Sequence, residues 1–423
     1  MIWFIYNLVF PVVFLLMLPK FLMRMARRGG YKKHFEQRFG IYGQGITSRL
    51  STGHHLWIHA VSVGEINVAL GFIAEYRKKN PDALFVLSTN TSTAHAIGEK
   101  RLDHRDVLIY FPLDMPFIMK KAFDAIRPLK LILVECELWP NLIREASRRD
   151  IPVALINGRV SDSSFKGYMK LRGFIRQLLP LIDPICMQGR KDAERMLALG
   201  ARPESMHIFG TAKYDLPPPA PDAGASAQAV LKQAGVPDGA LVLLGGSTWP
   251  GEEEALCKIY KTLRETHPNL FLVLVPRHAE RRDEVVAAIE REGLSCSLRS
   301  KGAGKADVLV IDTTGELMSF YAAADLVFVG KSLTQNGGQN PIEPALFGRP
   351  IVVGPNMENF PSVMDDFRSA NALRQVADFQ TLEKTIVELL DDSEVRKDLG
   401  DAAANLVESR RGTISRMVDA VGA

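Results

Sequence analysis

Residues 216–227 read LPPPAPDAGASA, a stretch in which Pro, Ala, Gly, Asp and Ser replace any regular apolar pattern. Such a composition disfavours both helix and sheet and is typical of a linker between domains. The stretch divides the 423-residue chain into nearly equal halves. We therefore expect one domain over residues 24–215 and a second over residues 228–423.

Both halves alternate short apolar runs with stretches of helical pattern. Runs of four to seven residues rich in Val, Ile and Leu, separated in this way, predict buried parallel strands in βαβ units. The sequence thus predicts an α/β fold with two Rossmann-like, doubly wound domains, whose ligands bind at the carboxyl ends of the strands and in a cleft between the domains. The predicted strands are 56–61, 84–88, 107–111, 131–135, 153–157, 185–188, 207–210, 241–245, 270–275, 308–312, 326–330 and 351–354.

The N-terminal segment differs from both halves. Residues 1–19 read MIWFIYNLVFPVVFLLMLP, without a charged side chain, and as a helix they would span about 28 Å. Residues 1–38 carry seven bases and one acid, a net +6, which leaves −2 for the rest of a chain whose total is +4. We predict a membrane anchor over residues 1–23, with the basic flank holding the body on the cytoplasmic side. Pro11 and Pro19 leave open whether the segment crosses the bilayer or lies in its interface.

Composition also excludes some classes. A net charge of +4 is too weak to indicate nucleic-acid binding. The four cysteines are far apart and lack metal-ligand spacing, so they predict reduced core residues and no metal site.

Two acidic motifs follow predicted strands of the first half. Glu65 ends the sequence HAVSVGE, where it could accept a proton from a hydroxyl or simply complement a helix dipole. Glu135 and Glu137 belong to ECELWPN, and their alternate positions allow one carboxylate to face a ligand while the other caps the next helix. Lys213, in GTAKYD, comes just before the linker and is expected to face the cleft.

Three motifs of the second half could bind phosphate. The sequence GGSTWPGEEE has glycines suited to a phosphate, yet its three acids favour an ordinary helix start. Arg277, in PRH, ends a predicted strand, where a guanidinium can bind phosphate. In GGQNPIEPA, Asn340 and Glu343 fit a capping box, whereas the glycine pair favours a nucleotide site in which Glu343 accepts from ribose hydroxyls.

Together these motifs closely resemble one known family. In order, HAVSVGE, ECELWPN, NGRVSDSSFKGY, GTAKYD, GSTWPGEEE, PRH and GGQNPIEPA follow an apolar N-terminus with a basic flank. The series, which covers nearly the whole chain, is similar to that of the Kdo (3-deoxy-D-manno-oct-2-ulosonic acid) transferases of lipid A assembly, glycosyltransferase family 30.

The resemblance implies a GT-B fold with an acceptor domain first, a CMP-sugar domain second, and a last helix that returns to the first domain. It implies inverting transfer of Kdo from CMP-Kdo to a tetraacylated lipid A precursor, at the cytoplasmic face of the inner membrane, without metal or other cofactor. Glu65 matches the general base, and Glu135 and Lys213 match positions that stabilise the transition state. The matching CMP-binding residues are Pro276, Arg277, Gly315, Glu316, Leu317, Asn340, Pro341, Ile342 and Glu343.

Other functions remain open on the sequence alone. A GT-B enzyme that uses a UDP-sugar and another lipid acceptor would share the fold, as would a nucleotide-sugar epimerase or an inactive membrane scaffold. The acidic and basic residues at strand ends in both halves favour the transferase.

Overall fold

The computed structural model describes the backbone of residues 2–28, 34–51 and 53–422, and the side chains of 3–17, 34–51 and 53–422. It divides into two compact units, one formed by Met1–Asp215 with Gly412–Ala423 and the other by Leu216–Arg411. The division after Asp215 coincides with the start of the predicted linker. Residues 412–423, which we placed in the second domain, instead pack with the first unit.

The first unit is built on seven strands. Its sheet has the order β3-β2-β1-β4-β5-β6-β7, and every neighbouring pair is parallel. The strand order reverses between β1 and β4, which is where doubly wound sheets bind ligands. The elements are α1 (Ile2–Arg28), α2 (Gln44–Leu50), β1 (His55–His59), α3 (Val63–Lys79), β2 (Leu84–Thr89), α4 (Ser92–Arg101), β3 (Val107–Tyr110), α5 (Pro116–Ile126), β4 (Lys130–Val134), α6 (Pro140–Arg148), β5 (Val153–Gly158), α7 (Asp162–Lys170), α8 (Arg172–Leu178), β6 (Ile185–Met187), α9 (Arg190–Leu199) and β7 (Met206–Ile208).

The second unit repeats this plan. Its sheet has the order β10-β11-β9-β8-β12-β13-β14, again with all pairs parallel, and the order reverses between β8 and β12. The elements are α10 (Ala225–Gln233), β8 (Leu241–Thr248), α11 (Glu252–Leu263), β9 (Leu270–Pro276), α12 (Arg282–Arg291), β10 (Cys296–Leu298), β11 (Val308–Val310), α13 (Leu317–Ala323), β12 (Leu326–Val329), α14 (Ile342–Ala345), β13 (Ile351–Val353), α15 (Pro361–Ser369), β14 (Arg374–Gln375), α16 (Phe379–Asp391) and α17 (Ser393–Arg410).

The cores explain why the strands read as continuous apolar runs. Helices cover both faces of each parallel sheet, so successive side chains are buried on opposite sides. In β1, Trp57 and Ile58 are both fully buried but belong to different core clusters. Each of the twelve predicted strands corresponds to an observed strand. The prediction missed β10 and β14, two short strands that pair on one side only.

The last helix, α18 (Thr413–Val421), is held to the first unit by Asp215. The Asp215 carboxylate accepts hydrogen bonds from the backbone N–H groups of Gly412, Thr413 and Ile414. An acceptor at a helix N-terminus satisfies donors that would otherwise lack partners. This cap joins the GTAKYD motif to the C-terminus and explains why the chain returns to the first unit.

Helix α1 lies against the first unit through one side. The Trp3 ring packs edge-on against Phe174 at 5.2 Å, and the Tyr6 hydroxyl donates to Asp114 Oδ2 at 2.8 Å. Within the part of the chain whose side chains the structure describes, no helix is both long and apolar enough to cross a membrane. The side chains of residues 18–23, the last part of the anchor predicted over residues 1–23, lie outside the described residues.

The basic flank is only partly visible. The side chains of its members from Lys20 to Lys33 lie outside the described residues. Arg38, which we counted with them, is buried: its Nη2 donates to the Asn90 carbonyl at 2.9 Å and its guanidinium lies over the Tyr110 ring. Arg38 thus belongs to the fold of the first unit.

Candidate active site

Glu65 occupies the first turn of α3 and forms a complete capping box with Ser62. Its carboxylate accepts from the N–H groups of Val61 at 2.7 Å and Ser62 at 3.3 Å, and Ser62 Oγ accepts from the Glu65 N–H. The side chain is buried and fixed at the carboxyl end of β1. The first-turn role that we considered for Glu65 is therefore present, and it also holds this carboxylate in one orientation.

Glu135 follows β4, the neighbour of β1, and its backbone adopts a left-handed conformation with φ of 58°. Burial, together with the negative charge of Glu65, raises the pKa of Glu135 to about 7, and Lys213 and Arg159 oppose this increase. The carboxyl group is therefore divided between its neutral and ionised forms near neutral pH. A non-glycine residue in this strained region, beside other carboxylates, is typical of a functional site.

Lys213 reaches the same group from the segment that follows β7. Burial lowers the pKa of its ammonium group, while the charge of Glu135 opposes the decrease. Asn157, at the end of β5, fixes this segment because its Oδ1 accepts from the Ala212 N–H at 3.0 Å. The structure thus brings Glu65, Glu135 and Lys213 close to one another, although they come from three distant parts of the chain.

Glu137 forms a second carboxyl group at this edge and faces a buried histidine. Its Oε2 accepts from Trp139 Nε1 at 2.8 Å and lies 3.9 Å from His59 Nε2. Burial, followed by the charge of Glu65, raises the pKa of Glu137 to about 7. Burial also lowers the pKa of His59 to about 3, so this ring is neutral.

The contacts of His59 indicate its tautomer. Nδ1 lies 3.3 Å from the Ser88 carbonyl oxygen, which can only accept, and 3.0 Å from Ser88 Oγ. Nδ1 therefore carries the proton, and Nε2 presents a lone pair toward Glu137. At 3.9 Å the two groups are too far apart for a hydrogen bond, but the lone pair disfavours the ionised form of Glu137.

Sequence reasoning missed His59 and Asn157 as site residues. Both stand inside quoted motifs, and each is a polar residue near the carboxyl end of an otherwise apolar strand. Both side chains are fully buried, and both retain an atom without a hydrogen-bond partner among the described residues, Nε2 of His59 and Nδ2 of Asn157. A polar residue that ends a buried strand is the signal that could have identified them.

In the second unit, the structure assigns a partner to each acid of GGSTWPGEEE. Glu252 is fully buried and accepts from four backbone N–H groups, Glu253 pairs with Arg281, and Glu254 pairs with Lys258. The acids therefore stabilise the fold and are directed at protein groups, so they do not oppose an anion bound elsewhere along this edge.

Arg277, Asn340 and Glu343 form a group at the carboxyl edge of the second sheet. Arg277 follows β9 and is exposed, with its N–H donating to the Thr248 carbonyl at 3.1 Å. Burial raises the pKa of Glu343, while a hydrogen bond from Asn340 and the charge of Arg277 oppose the increase. A half-buried carboxylate and an exposed guanidinium here suit the ribose and phosphate of a nucleotide.

The capping box predicted at Asn340 and Glu343 is not formed in the expected way. Asn340 Oδ1 accepts from the Ile342 N–H at 3.2 Å, but Glu343 Oε1 accepts from the Asn340 side-chain amide and not from its backbone. Helix α14 has only four residues, and the prolines at 341 and 344 supply no N–H. The Glu343 carboxylate is thus oriented by Asn340, as a ligand-binding residue would be.

The remaining predicted nucleotide residues lie at the same edge. Pro276 ends β9, and Gly315–Leu317 follow β11, the strand adjacent to β9. Gly315 is exposed with φ of 94°, Glu316 pairs with Arg299 at 3.1 Å, and Leu317 begins α13. Pro341 and Ile342 are buried at the start of α14 and position Glu343.

Comparison with known proteins agrees with this arrangement. Residues 33–216 match the profile of the family described as 3-deoxy-D-manno-octulosonic-acid transferase (kdotransferase). The chain is 30% identical over 397 residues to the 3-deoxy-D-manno-octulosonic acid transferase of Haemophilus influenzae, covering 92% of this chain and 91% of the relative. The protein belongs to the Kdo transferase family.

Other relatives extend this result. The 3-deoxy-D-manno-octulosonic acid transferase of Bordetella pertussis is 30% identical over 421 residues, covering 94% of each protein. A solved glycosyltransferase from Rickettsia africae, 11% identical, covers 87% of this chain and 96% of its own with a TM-score of 0.57, a likeness of fold. The resemblance to Kdo transferases is confirmed, and the protein is a glycosyltransferase with a GT-B-like α/β fold containing two parallel sheets.

Proposed function

We propose that this Kdo transferase transfers Kdo from CMP-Kdo to a tetraacylated lipid A precursor, with inversion at the anomeric carbon and without a metal ion. The observation that carries the proposal is the group formed by Glu65, Glu135 and Lys213 where the strand order of the first sheet reverses. Such a position is where doubly wound sheets bind ligands. The first unit would bind the acceptor and the second unit the donor.

In this proposal Glu65 accepts the proton of the acceptor hydroxyl as that oxygen attacks the anomeric carbon. General-base catalysis of this kind contributes about 10²–10⁴-fold to a rate. Attack from the side opposite the leaving CMP inverts the centre. Lys213 stabilises negative charge that develops in the transition state. Glu135, which is partly protonated near neutral pH, can donate a hydrogen bond at the same point.

In the second unit Arg277 is the cation that would bind the phosphate of CMP. Glu343 would accept from the ribose hydroxyls, because Asn340 holds its carboxylate in place at 3.2 Å. As the glycosidic bond to CMP breaks, Arg277 would stabilise the charge of the leaving phosphate.

A lipid acceptor also gives a function to the outer side of α1. While Trp3 and Tyr6 face the unit, the opposite side is apolar and exposed, with Leu16 at 76% and Phe4 at 72%. Trp3 contacts α8, and the basic side chains of α8 and of the preceding helix α7 are exposed. They are Lys166, Lys170, Arg172 and Arg176. Together these residues form a surface suited to the interface of an anionic membrane, the cytoplasmic face of the inner membrane in this proposal.

The catalytic test compares Glu65→Gln with Ser62→Ala. Glu65→Gln should lower kcat about 10²–10⁴-fold, whereas the inhibition constant of CMP should not change. Ser62→Ala removes the other half of the capping box, which costs about 1 kcal/mol of stability, but it should leave kcat nearly unchanged. Retained turnover in Glu65→Gln would contradict the general-base role. Equal competition by UDP and CMP would contradict the donor assignment.

The membrane test uses flotation with anionic phospholipid vesicles. Replacing Leu8 and Leu16 together by Glu should abolish flotation, because both are exposed on the outer side of α1. Leu197→Glu, on the exposed side of α9, is the matched control and should float like the wild type. Unchanged flotation of the α1 variant would contradict this membrane surface.

A further inference from the structure

The second sheet reverses its strand order between β8 and β12, and two residues without an assigned function meet at that point. Trp249 directly follows β8, and Lys331 lies in the turn after β12. The Lys331 ammonium is 4.7 Å from the centre of the Trp249 ring, a cation–π contact. The reversal point is where an open parallel sheet binds its ligand.

Lys331 is held by its backbone. Its N–H donates to Glu252 Oε2 at 2.8 Å, and the N–H groups of Ser332 and Leu333 donate to Oε1 of the same carboxylate at 3.0 Å. Its φ of 56° lies in the left-handed region, which lysine rarely adopts. Glu252 is fully buried, so the turn that carries the ammonium group is fixed from beneath.

The glycine loop packs directly against this ammonium group. A Cβ built on Gly337 would lie 3.4 Å from Lys331 Nζ and 2.6 Å from Asn359 Nδ2, so a side chain at Gly337 would crowd both groups. The Gly338 N–H donates to the Lys331 carbonyl at 2.9 Å. The absence of a side chain at Gly337 therefore allows the loop backbone to pack closely against the Lys331 ammonium and the Asn359 amide.

Three side-chain polar atoms of this group have no hydrogen-bond partner among the residues that the structure describes. Lys331 Nζ has no hydrogen-bond or ion-pair partner among them, and the buried Nε1 of Trp249 has no acceptor. Thr248 Oγ1, fully buried at the end of β8, has no partner either. Buried donors are nearly always paired in folded proteins. The Lys331 ammonium over the Trp249 ring and the indole N–H of that ring are two donors without an acceptor, a combination that fits an anionic ligand.

We propose that Lys331 and Trp249 bind the carboxylate of the donor sugar acid and so select an ulosonic acid over a neutral hexose. This assignment rests on the proposed function, in which CMP-Kdo is the donor. That donor has two anionic groups, the phosphate and the C1 carboxylate, both attached to the anomeric carbon. Arg277, which follows the adjacent strand β9, accounts for the phosphate, and the carboxylate is left to Lys331 and Trp249.

The test distinguishes binding of the carboxylate from binding of the phosphate. It measures KM for CMP-Kdo, which has both groups, and the inhibition constants of CMP, which has only the phosphate, and of the C1 methyl ester of CMP-Kdo, which lacks the carboxylate charge. Lys331→Met should raise KM about 10- to 100-fold, the usual effect of losing a hydrogen bond to a charged group, with the CMP constant changed less than twofold. Trp249→Phe should raise KM less, because the ring remains. Lys331→Arg should restore most of the loss. Lys384→Met, at an exposed lysine of α16, is the control and should behave as wild type.

The methyl ester gives an independent readout. It should bind more weakly than CMP-Kdo to the wild type but about equally to Lys331→Met, since that variant no longer senses the charge. An equal rise in KM and in the CMP inhibition constant would overturn the proposal, because it would place Lys331 on the phosphate. An unchanged KM in both variants would also overturn it. Failure of the wild type to use CMP-Kdo at all would instead refute the proposed function.

Discussion

Replacing Glu137 by Gln should make this protein more stable at pH 8 and leave its stability almost unchanged at pH 4.5. The pKa of Glu137 rises from 4.5 to about 7, first because it is buried and then because it faces Glu65. A carboxyl group whose folded pKa is raised favours folding while it is protonated, fully so below its unfolded pKa. That contribution is lost as the pH rises through the folded value. Above pH 7, wild type must therefore keep an unfavourable charge that Gln lacks.

The size of the effect follows from the shift. At about 1.4 kcal/mol per pH unit, a rise from 4.5 to about 7 corresponds to roughly 3 kcal/mol. Part of this free energy comes from repulsion between Glu137 and Glu135, which both groups share. We therefore expect a gain in stability of about 2 kcal/mol at pH 8. The amide also keeps a carbonyl oxygen that can accept from Trp139 Nε1, which donates to Oε2 at 2.8 Å.

The assay is thermal unfolding by calorimetry at the two pH values. A gain of about 2 kcal/mol should raise the Tm by about 4–8 °C at pH 8, with little change at pH 4.5. Glu194→Gln, at an exposed carboxylate of α9, is the control and should show no pH-dependent gain. A Glu137→Gln variant with an unchanged or lower Tm at pH 8, or with the same gain at both pH values, would refute the reasoning.

Three further outcomes follow from the same structure. Asp215→Asn should lower the Tm by several degrees, since it weakens the cap of α18 by about 1–2 kcal/mol. Calorimetry can compare this variant with Asp419→Asn, which breaks only a surface pair with Lys79, and equal losses in Tm would contradict the prediction. Asn157→Ala should lower kcat about tenfold with little change in KM, because the segment carrying Lys213 loses the 3.0 Å hydrogen bond from the Ala212 N–H to Asn157 Oδ1. A kinetic assay in which only KM changed would contradict this positioning role. Transfer should persist in excess EDTA, and a loss of product restored by added magnesium would contradict metal independence.

Strand positions were predictable because they depend on local pattern. Helices on both faces of a parallel sheet require apolar side chains at successive positions, and such runs can be recognised in the sequence alone. The two missed strands, Cys296–Leu298 and Arg374–Gln375, lie at the sheet edges, where burial on one side demands less of the sequence. The chemical character of the strand ends was equally visible, since Glu65, Glu135 and Arg277 directly follow apolar runs.

Other features depend on contacts between distant segments. The sequence allowed Glu252 to be one of three acids at a helix start, but only the fold shows that it binds the turn carrying Lys331. The pairing of Lys331 with Trp249 could not be foreseen, because it requires β8 and β12 to be neighbours. The contacts of Trp3 and Tyr6 with the first unit are a further example, because hydropathy does not reveal such contacts.

The sequence by itself determined that this protein has two α/β domains, where most strands run, and which charged residues end them, because burial in a parallel sheet leaves a local apolar pattern. Only the tertiary structure decided which of those ends become neighbours and that Glu135 and Glu137 have pKa values near 7. The physical reason is that a pKa depends on desolvation and on nearby charges, and both are set by groups far apart in the chain.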